Sequence, residues 1–230
     1  MQEAASLKQD LVDAILMMER AQIIDFNGHF SARIPGTQHM LINSGASVRS
    51  ALTTKDIVVI DFDGNLVEGD TPPPMEFHIH AAIYRRRPDV NAVAHTHPLW
   101  STLLSMVGKP LLPVIMQAAV LGDIRQFPKT ASINNRQLGD ELAECLGDGR
   151  AVMLKSHGAV VASTGITETF VLGVYLEETA QRQYMASQIG EPMVLSPEQV
   201  EKIAGNLWKP NLLKKVWDYH HAKLKAALPG

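Results

Sequence analysis

The segment Asn91-Ala-Val-Ala-His-Thr-His-Pro98 constrains the fold of this chain more than any other. Its apolar start is typical of a buried β-strand, and His95 and His97 lie two residues apart at its end. Side chains at positions i and i+2 of a strand point to the same face, so both imidazoles should converge on one point. Because proline ends regular strand pairing, that point should lie at the rim of the sheet, where the chain enters a turn. Two closely spaced imidazoles at such a rim predict a divalent metal site, and hence an enzyme.

A catalytic metal site needs at least a third ligand, and His157 is the best candidate. It follows the apolar run that starts at Ala151 and precedes Gly158, which lets the backbone turn sharply. We predict one strand over 151–162 with a break at Gly158, so that His157 also lies at a strand end. Three neutral imidazoles with open positions are typical of catalytic metal sites. Zinc suits these ligands best, and manganese, cobalt and iron also accept them.

Glu76 is the candidate acid at the same site. It follows Pro72-Pro73-Pro74, in the first turn of a helix that we predict to run from about Met75 to Arg87. The positive end of the helix dipole favours its ionised form. Beside a metal ion, such a carboxylate serves as a fourth ligand, as a general acid and base, or as both in turn.

Hydrophobic periodicity and turn residues predict the remaining elements. The early strands have hairpin-like spacing, which favours a largely antiparallel sheet. We therefore expect an α/β fold, with one domain over residues 1–230 and a C-terminal helical extension from about residue 197. The predicted helices cover 5–22, 75–87, 135–146, 168–189 and 197–227, and the predicted strands cover 28–35, 40–43, 57–62, 66–68, 91–97 and 151–162.

Composition excludes several classes of function. The formal net charge is -3, so no basic excess is available to bind nucleic acid. No apolar run is long enough to cross a bilayer, and the N-terminus lacks the features of a signal peptide. A single cysteine, Cys145, fits a reducing compartment. We therefore expect a cytoplasmic protein that binds neither nucleic acid nor membranes.

The chain contains three recognisable motifs. They are Asn27-Gly-His-Phe-Ser-Ala-Arg33, the stretch from Pro74 through Glu76 and His80 to His95-Thr-His97-Pro98, and Ser156-His157-Gly158. These motifs resemble those of the class II aldolase/adducin family, occur in the family order, and as a set are specific to it. The resemblance implies an α/β/α sandwich around a central, mainly antiparallel sheet, and a homotetramer with active sites at the subunit interfaces.

The resemblance also implies roles for individual residues. It assigns His95, His97 and His157 as ligands of one divalent metal ion per site. It assigns Glu76 as the catalytic acid and base, which we also count as a fourth ligand. Adducin-like members that lack the histidines are structural, and this chain has all of them, which favours an enzyme.

The chain departs from the family's sugar-phosphate aldolases where those enzymes bind phosphate. The position of their asparagine is His29, and the positions of their serine pair are Pro74 and Met75. Proline and methionine side chains cannot donate a hydrogen bond to phosphate. Ser44-Gly45 keeps part of that pocket, and the position of a proton-donating tyrosine aligns with Gln117. A phosphorylated sugar is therefore disfavoured as substrate.

The pattern around His29 and Glu76 looks closer to the family's decarboxylases of hydroxylated aromatic or pyridine carboxylates. Our leading interpretation is such a metal-dependent, non-oxidative decarboxylase, with a small aromatic carboxylate as substrate. Glu76 or His29 would return the proton to the ring. The substrate would be bound by Ser44, Gly45, Met75 and Arg33, with Arg125 as the alternative to Arg33 for a second carboxylate.

Two alternatives stay open on the sequence. The first is an aldolase that uses the same metal to cleave a non-phosphorylated hydroxy-keto acid or sugar. A flat, apolar pocket near His29, Pro74 and Gln117 favours a ring, and a small, polar one favours a keto acid. The second is a non-catalytic assembly protein of the adducin type, which would bind no metal.

Overall fold

A mainly antiparallel sheet of eight strands forms the centre of the computed structural model, which describes residues 2–226 of the 230-residue chain. The strand order is β4-β3-β2-β1-β5-β8-β7-β6, and every neighbouring pair is antiparallel except β6 and β7. The strands are β1 (His29–Arg33), β2 (His39–Asn43), β3 (Ile57–Asp61), β4 (Leu66–Glu68), β5 (Ala92–Thr96), β6 (Arg125–Phe127), β7 (Ala151–Leu154) and β8 (Gly158–Ser163).

Residues 2–226 form seven α-helices, six of which cover the two faces of this sheet. The first, third, fifth and seventh contribute buried residues to the core on one face, and the second and fourth contribute to the core on the other. The sixth packs on a short 3-10 turn, Met116–Val120. The helices are α1 (Gln2–Arg20), α2 (Phe77–Arg86), α3 (Leu99–Met106), α4 (Arg136–Leu146), α5 (Ile166–Ile189), α6 (Pro197–Leu207) and α7 (Pro210–Ala226).

Alternation along the strands produces the two cores. In β1, Phe30 and Ala32 pack in the core beside α1 and α5. In β5, Val93 packs in the opposite core beside α2, and β1 pairs with β5 so that Ser31 lies opposite Val93. The period-2 pattern therefore sends His29, Ser31 and His95 to the α2 face. The predicted α/β/α sandwich around a mainly antiparallel sheet is confirmed.

The register brings the ends of three strands together. His29 lies opposite His95 where β1 pairs with β5, and Thr96 lies opposite Ala159 where β5 pairs with β8. The start of β1, the end of β5 and the start of β8 therefore meet at one edge of the α2 face. His157 directly precedes β8 and lies at the same edge.

The prediction of one strand over 151–162 that breaks at Gly158 is wrong. The segment is an antiparallel hairpin of β7 and β8 in which Leu154 pairs with Gly158. The turn between them contains Ser156, whose φ of 54° is left-handed. His157 thus lies in a hairpin turn and not at the end of a strand. A continuous apolar pattern on both sides of a short turn hid this reversal.

Helix α3 and strand β6 are absent from the sequence prediction. The carboxylate of Glu177 in α5 accepts hydrogen bonds from the backbone N–H groups of Trp100 and Ser101, at 2.6 and 3.0 Å. This carboxylate caps the start of α3 from a distant part of the chain, so no local capping residue marks the helix. The short β6 begins with Arg125 and Gln126, which lack a strand pattern. The predicted C-terminal helical part comprises two helices, Pro197–Leu207 and Pro210–Ala226, and its last residue, Ala227, lies outside the described residues.

None of the described helices has the length and apolar character needed to cross a membrane. The C-terminal helices pack on the rest of the structure, since α7 contacts both α1 and α5. Leu213 and Leu224 of α7 are buried in the same core as α1 and α5.

Gly158 is required by the close approach of β5 and β8. A Cβ atom at this position would lie 2.1 Å from the backbone oxygen of Thr96. A backbone atom cannot swing away as a flexible side chain can, so the two strands would have to separate. Because Thr96 lies between His95 and His97, this separation would also disturb the edge where the histidines meet.

We predict that Gly158→Ala lowers the free energy of unfolding by about 1–3 kcal/mol, as overpacking of a close-packed interior does. The matched control is Gly205→Ala in α6, where an added Cβ meets no atom within 4 Å. That change should raise stability by about 0.5–1 kcal/mol, because alanine favours a helix over glycine. Urea denaturation of both variants measures the difference. Wild-type stability of Gly158→Ala would contradict the close approach.

Candidate metal centre

Four side chains converge at this edge of the sheet in an arrangement that suits a metal ion. Each offers one ligand atom, and these atoms all lie within 4.8 Å of one another. His95 comes from the end of β5, His97 from the residue after Thr96, His157 from the β7–β8 turn and Glu76 from the residue before α2. The structure therefore brings together the four ligands that the sequence analysis proposed.

Hydrogen bonds orient the first two imidazoles. The Nδ1 atom of His95 lies 3.1 Å from the carbonyl oxygen of Ala159, and Nδ1 of His97 lies 3.1 Å from a carboxylate oxygen of Asp25. A carbonyl and a carboxylate can only accept, so both Nδ1 atoms carry the proton. Both Nε2 atoms then carry lone pairs, and they lie 2.9 Å apart. Two lone pairs this close repel each other unless a cation lies between them.

Burial keeps these rings in the form that metals bind. It lowers the pKa of His97 to about 4 and also lowers the pKa of His157. Both are then neutral near pH 7, as ligation requires. The side chain of His95 is fully buried, whereas those of His97 and His157 are 15% and 17% exposed. The cluster thus has a closed side at His95 and an open side from which a small molecule can approach.

Glu76 divides its two carboxylate oxygens between the protein and the cluster. Oε1 accepts hydrogen bonds from the Ser132 hydroxyl at 3.0 Å and from the Ile133 N–H at 2.7 Å. Oε2 lies 3.4 Å from Nε2 of His95 and 3.8 Å from Nε2 of His157. Burial acts to raise the pKa of Glu76, but the neighbouring imidazoles and the Ile133 N–H outweigh it and hold the pKa well below its usual range. Glu76 is therefore a carboxylate with one oxygen free for chemistry.

His29 is a fourth imidazole beside the cluster. Its ring centre lies 5.0 Å from that of His95, and its Nε2 lies 3.9 Å from Oε2 of Glu76. This Nε2 is buried and has no hydrogen-bond partner among the described residues. Burial lowers the pKa of His29 to about 3, so the ring is neutral. A buried polar atom without a partner, aimed at the cluster, is suited to contact a bound molecule.

Three of the candidate substrate residues, Ser44, Gly45 and Met75, lie near Glu76 or near the segment before it. The Ser44-Gly45 turn is tied to the segment before Glu76, because Gly45 donates a hydrogen bond to the carbonyl of Pro72. Met75 is 73% exposed beside Glu76.

Arg33 lies at the far end of β1 and is not brought to the cluster. Its guanidinium donates to the carbonyls of Tyr84, Arg87 and Val90, so its role is structural and its assignment to substrate is corrected. The alternative, Arg125, hydrogen-bonds the carbonyl of Cys145 and is half-exposed beside Asp123.

Several residues of the site have no distinct sequence signal. Asp25 orients His97 from a loop 72 positions away, and Ser132 and Ile133 hold Glu76 from the loop after β6. Arg49 is buried and ties the loop before β1 to the Ser44 turn, through the carbonyls of Gly28 and Ser44. The spacing of His80, four residues after Glu76, is a sequence signal that could have linked the two side chains.

The donor set fits a small divalent ion. With zinc–nitrogen bonds of about 2.1 Å, neighbouring ligand atoms of a tetrahedron are about 3.4 Å apart. The corresponding separations here include 2.9 Å between His95 and His97 and 3.4 Å between His95 and Glu76. Three imidazoles and a carboxylate suit zinc, and they also suit manganese, cobalt or iron.

Comparison with known proteins identifies the family. Residues 9–184 match the family described as Class II Aldolase and Adducin N-terminal domain. The chain therefore belongs to the class II aldolase and adducin family. The resemblance seen in its motifs is thus confirmed, as is the fold that it implied.

Three relatives illustrate the range of the family. The chain is 31% identical over 150 residues, 65% of its length and 70% of the relative's, to 5-deoxy-D-ribulose 1-phosphate aldolase of Bacillus thuringiensis serovar kurstaki. It is 25% identical over 213 residues, 87% of its length and 86% of the relative's, to 3,4-dihydroxyphthalate decarboxylase of Arthrobacter keyseri. A solved L-fuculose 1-phosphate aldolase superposes with a TM-score of 0.81 at 27% identity, covering 88% of this chain and 96% of that one.

We predict that the purified protein binds one divalent ion per chain and that His95→Ala abolishes this binding. The variant removes the most buried of the three nitrogen ligands. His39→Ala is the matched control, because His39 lies at the start of β2 and pairs with Asp61, outside the cluster. Elemental analysis after dialysis measures the stoichiometry. Equal metal content in wild type and His95→Ala would contradict the site.

We predict that Asp25→Asn weakens metal affinity by about 10–100-fold, the usual cost of losing the partner of a ligating histidine. The amide no longer carries the charge that favours a proton on Nδ1 of His97. Asp13→Asn is the control. Asp13 in α1 lies 3.1 Å from Nε2 of His221 in α7, outside the cluster. Competition with a chromogenic chelator measures the affinities. An unchanged affinity in Asp25→Asn would show that Asp25 does not orient the ligand.

Proposed function

We propose that this protein is a metal-dependent aldolase that cleaves a carbon–carbon bond in a small, non-phosphorylated hydroxy-keto acid or sugar. The proposal reverses the order of the sequence interpretation, which ranked a decarboxylase first and this aldolase second. The observation that carries it is the convergence of Oε2 of Glu76 on three imidazoles in a class II aldolase fold. The aldolases among the relatives favour the same reaction class.

The absence of phosphate from the proposed substrate rests on the residues around the cluster. The names of two relatives above specify sugar phosphates. Here Pro73 and Pro74 pack against the Ser44-Gly45 turn, and a Cβ on Gly45 would lie 3.1 Å from the backbone oxygen of Pro73. Neither proline has an N–H to offer to phosphate. The buried Arg49 already uses its Nε and Nη1 groups on backbone carbonyls.

Glu76 would carry out the proton transfers of the proposed cleavage. A divalent ion in the cluster would act as a Lewis acid toward the carbonyl oxygen of the substrate. Oε2 of Glu76 would take the proton of the substrate hydroxyl as the carbon–carbon bond breaks and the aldehyde leaves. The same oxygen would return that proton to the carbon left behind, so that the proton balance closes on Glu76. His29 would donate a hydrogen bond to the bound molecule from its Nε2 atom.

A decarboxylase remains the second candidate because two specific observations favour it. The match to 3,4-dihydroxyphthalate decarboxylase covers 87% of this chain, a larger share than the 65% matched by the deoxyribulose-phosphate aldolase. The exposed Met75 beside Glu76 offers an apolar contact for a flat ring. Glu76 would then take the proton of the ring hydroxyl and deliver it to the ring carbon from which carbon dioxide has left.

We include an oligomer with interfacial sites in the proposal, with a homotetramer as the expected form. Phe26, Val48 and Met75 are 79%, 64% and 73% exposed, and each neighbours a residue that holds the site in place. Large apolar side chains exposed around a site mark a surface that a partner or a substrate covers. Light scattering with size-exclusion chromatography measures the mass.

We predict that the metal-loaded protein exchanges the methyl protons of pyruvate, or the carbon-bound protons of glycolaldehyde, in D₂O. This exchange reports enolate formation without any aldol partner. Glu76→Gln should lower the rate by about 10²–10⁴-fold, the usual contribution of a general acid and base. The matched control is Glu178→Gln, because Glu178 pairs with Arg182 on the surface of α5. Loss of proton signals in the NMR spectrum measures the exchange.

The same preparations should be offered a panel of hydroxylated phthalates and pyridine dicarboxylates. Carbon dioxide release from the panel, without proton exchange, would replace the aldolase by the decarboxylase. If protein that retains its metal shows neither proton exchange nor carbon dioxide release, both candidates are contradicted.

A further inference from the structure

A buried chain of polar side chains leads from the cluster into the core between the sheet and α2. Nδ1 of His29 lies 2.7 Å from Nε2 of His80. Nδ1 of His80 lies 2.6 Å from the Ser31 hydroxyl, which lies 2.7 Å from the Tyr84 hydroxyl. None of the four residues is more than 2% exposed. Such a chain between apolar residues requires an explanation, because each of its polar groups must be paired.

The number of protons available determines the direction of the chain. Tyr84 has one hydroxyl proton, and Ser31 is the only side chain of residues 2–226 that hydrogen-bonds its oxygen. If Ser31 donated to Tyr84, the Tyr84 proton would be buried without an acceptor. If Ser31 accepted from both neighbours, its own proton would have none. Every hydroxyl proton is paired only when Tyr84 donates to Ser31 and Ser31 donates to Nδ1 of His80.

This direction sets the tautomers of both rings. Each is buried and neutral, so each carries one N–H. His80 accepts at Nδ1 and must therefore donate from Nε2 to Nδ1 of His29. His29 then accepts at Nδ1 and holds its proton on Nε2, the buried atom without a partner that faces Glu76. The backbone of Val93 also flanks His80 and Tyr84, but it belongs to the ladder of β1, β5 and β8.

We propose that Ser31 and His80 are positioning residues that hold His29 as the Nε2–H tautomer, so that His29 presents a hydrogen-bond donor to the bound substrate and does not ligate the metal. The neighbouring histidines behave in the opposite way. His95 and His97 hold protons on Nδ1 and turn lone pairs toward the cluster. Hydrogen-bond partners therefore favour His95 and His97 as ligands and His29 as a donor at the same site.

The chain holds a proton in place and does not conduct protons. Burial raises the pKa of Tyr84 well above its usual range, so its hydroxyl keeps its proton. The guanidinium of Arg33 lies 4.7 Å from the centre of the Tyr84 ring and donates to the Tyr84 carbonyl, which fixes the end of the chain. This contact gives Arg33 a role in the site that is structural and indirect.

Neutron diffraction on deuterium-exchanged, zinc-loaded protein tests the tautomer directly. We expect deuterium on Nε2 of His29 and on Nε2 of His80, and none on Nδ1 of either ring. Deuterium on Nδ1 of His29 would overturn the proposal. The result does not depend on which reaction is catalysed, so it stands or falls separately from the aldolase assignment.

Solid-state nitrogen NMR of histidine-labelled protein tests whether the hydrogen bonds from Ser31 through His80 fix the tautomer of His29. Ser31→Ala removes the donor to His80, and we expect the His29 signals to change from a single tautomer to a mixture. Tyr84→Phe is the matched control, since Ser31 then has only His80 as acceptor and the single tautomer should remain. The signals are assigned by their loss in His29→Asn. A single, unchanged tautomer in Ser31→Ala would show that the chain does not hold His29.

Discussion

The 2.9 Å separation of two imidazole nitrogens is the constraint on which the rest of the site depends. His95 and His97 each direct a lone pair at the same point, because a backbone carbonyl and the carboxylate of Asp25 hold their other nitrogens as donors. Without a cation this contact is repulsive, and it persists because the strands that carry it are paired on both sides. The close approach of Gly158 to Thr96 keeps that pairing tight. Sheet geometry and metal chemistry are thus parts of one arrangement.

Much of this arrangement was predictable from residue spacing. The two-residue interval between His95 and His97 on an apolar strand implies a shared face, and the triple proline before Glu76 implies a helix start nearby. The long helices follow from their hydrophobic periods. The hairpin that carries His157 was missed, because apolar residues on both sides of a three-residue turn look like one strand. Helix α3 was missed because its cap, Glu177, comes from a different helix.

The remaining features depend on contacts between distant segments. Asp25, Ser132 and Ile133 act on the cluster from loops, and loop residues carry no period that would mark them. Arg33 shows the opposite error, since an arginine close in sequence to His29 points to the other end of β1. The substrate is similarly underdetermined by the fold, which aldolases and a decarboxylase share. The residues near the cluster, which here include His29, Pro74 and Met75, must therefore discriminate between substrates.

The central claim is that one divalent ion binds to the three imidazoles and the carboxylate. Anomalous diffraction at the zinc edge, on crystals of zinc-loaded protein, tests it most directly. We expect a single strong anomalous peak per chain. The ion at this peak should be bonded to Nε2 of His95, His97 and His157, and Oε2 of Glu76 should be the fourth protein atom that faces it. A peak elsewhere, or a zinc ion bound through Nε2 of His29 in place of one of these three, would contradict it.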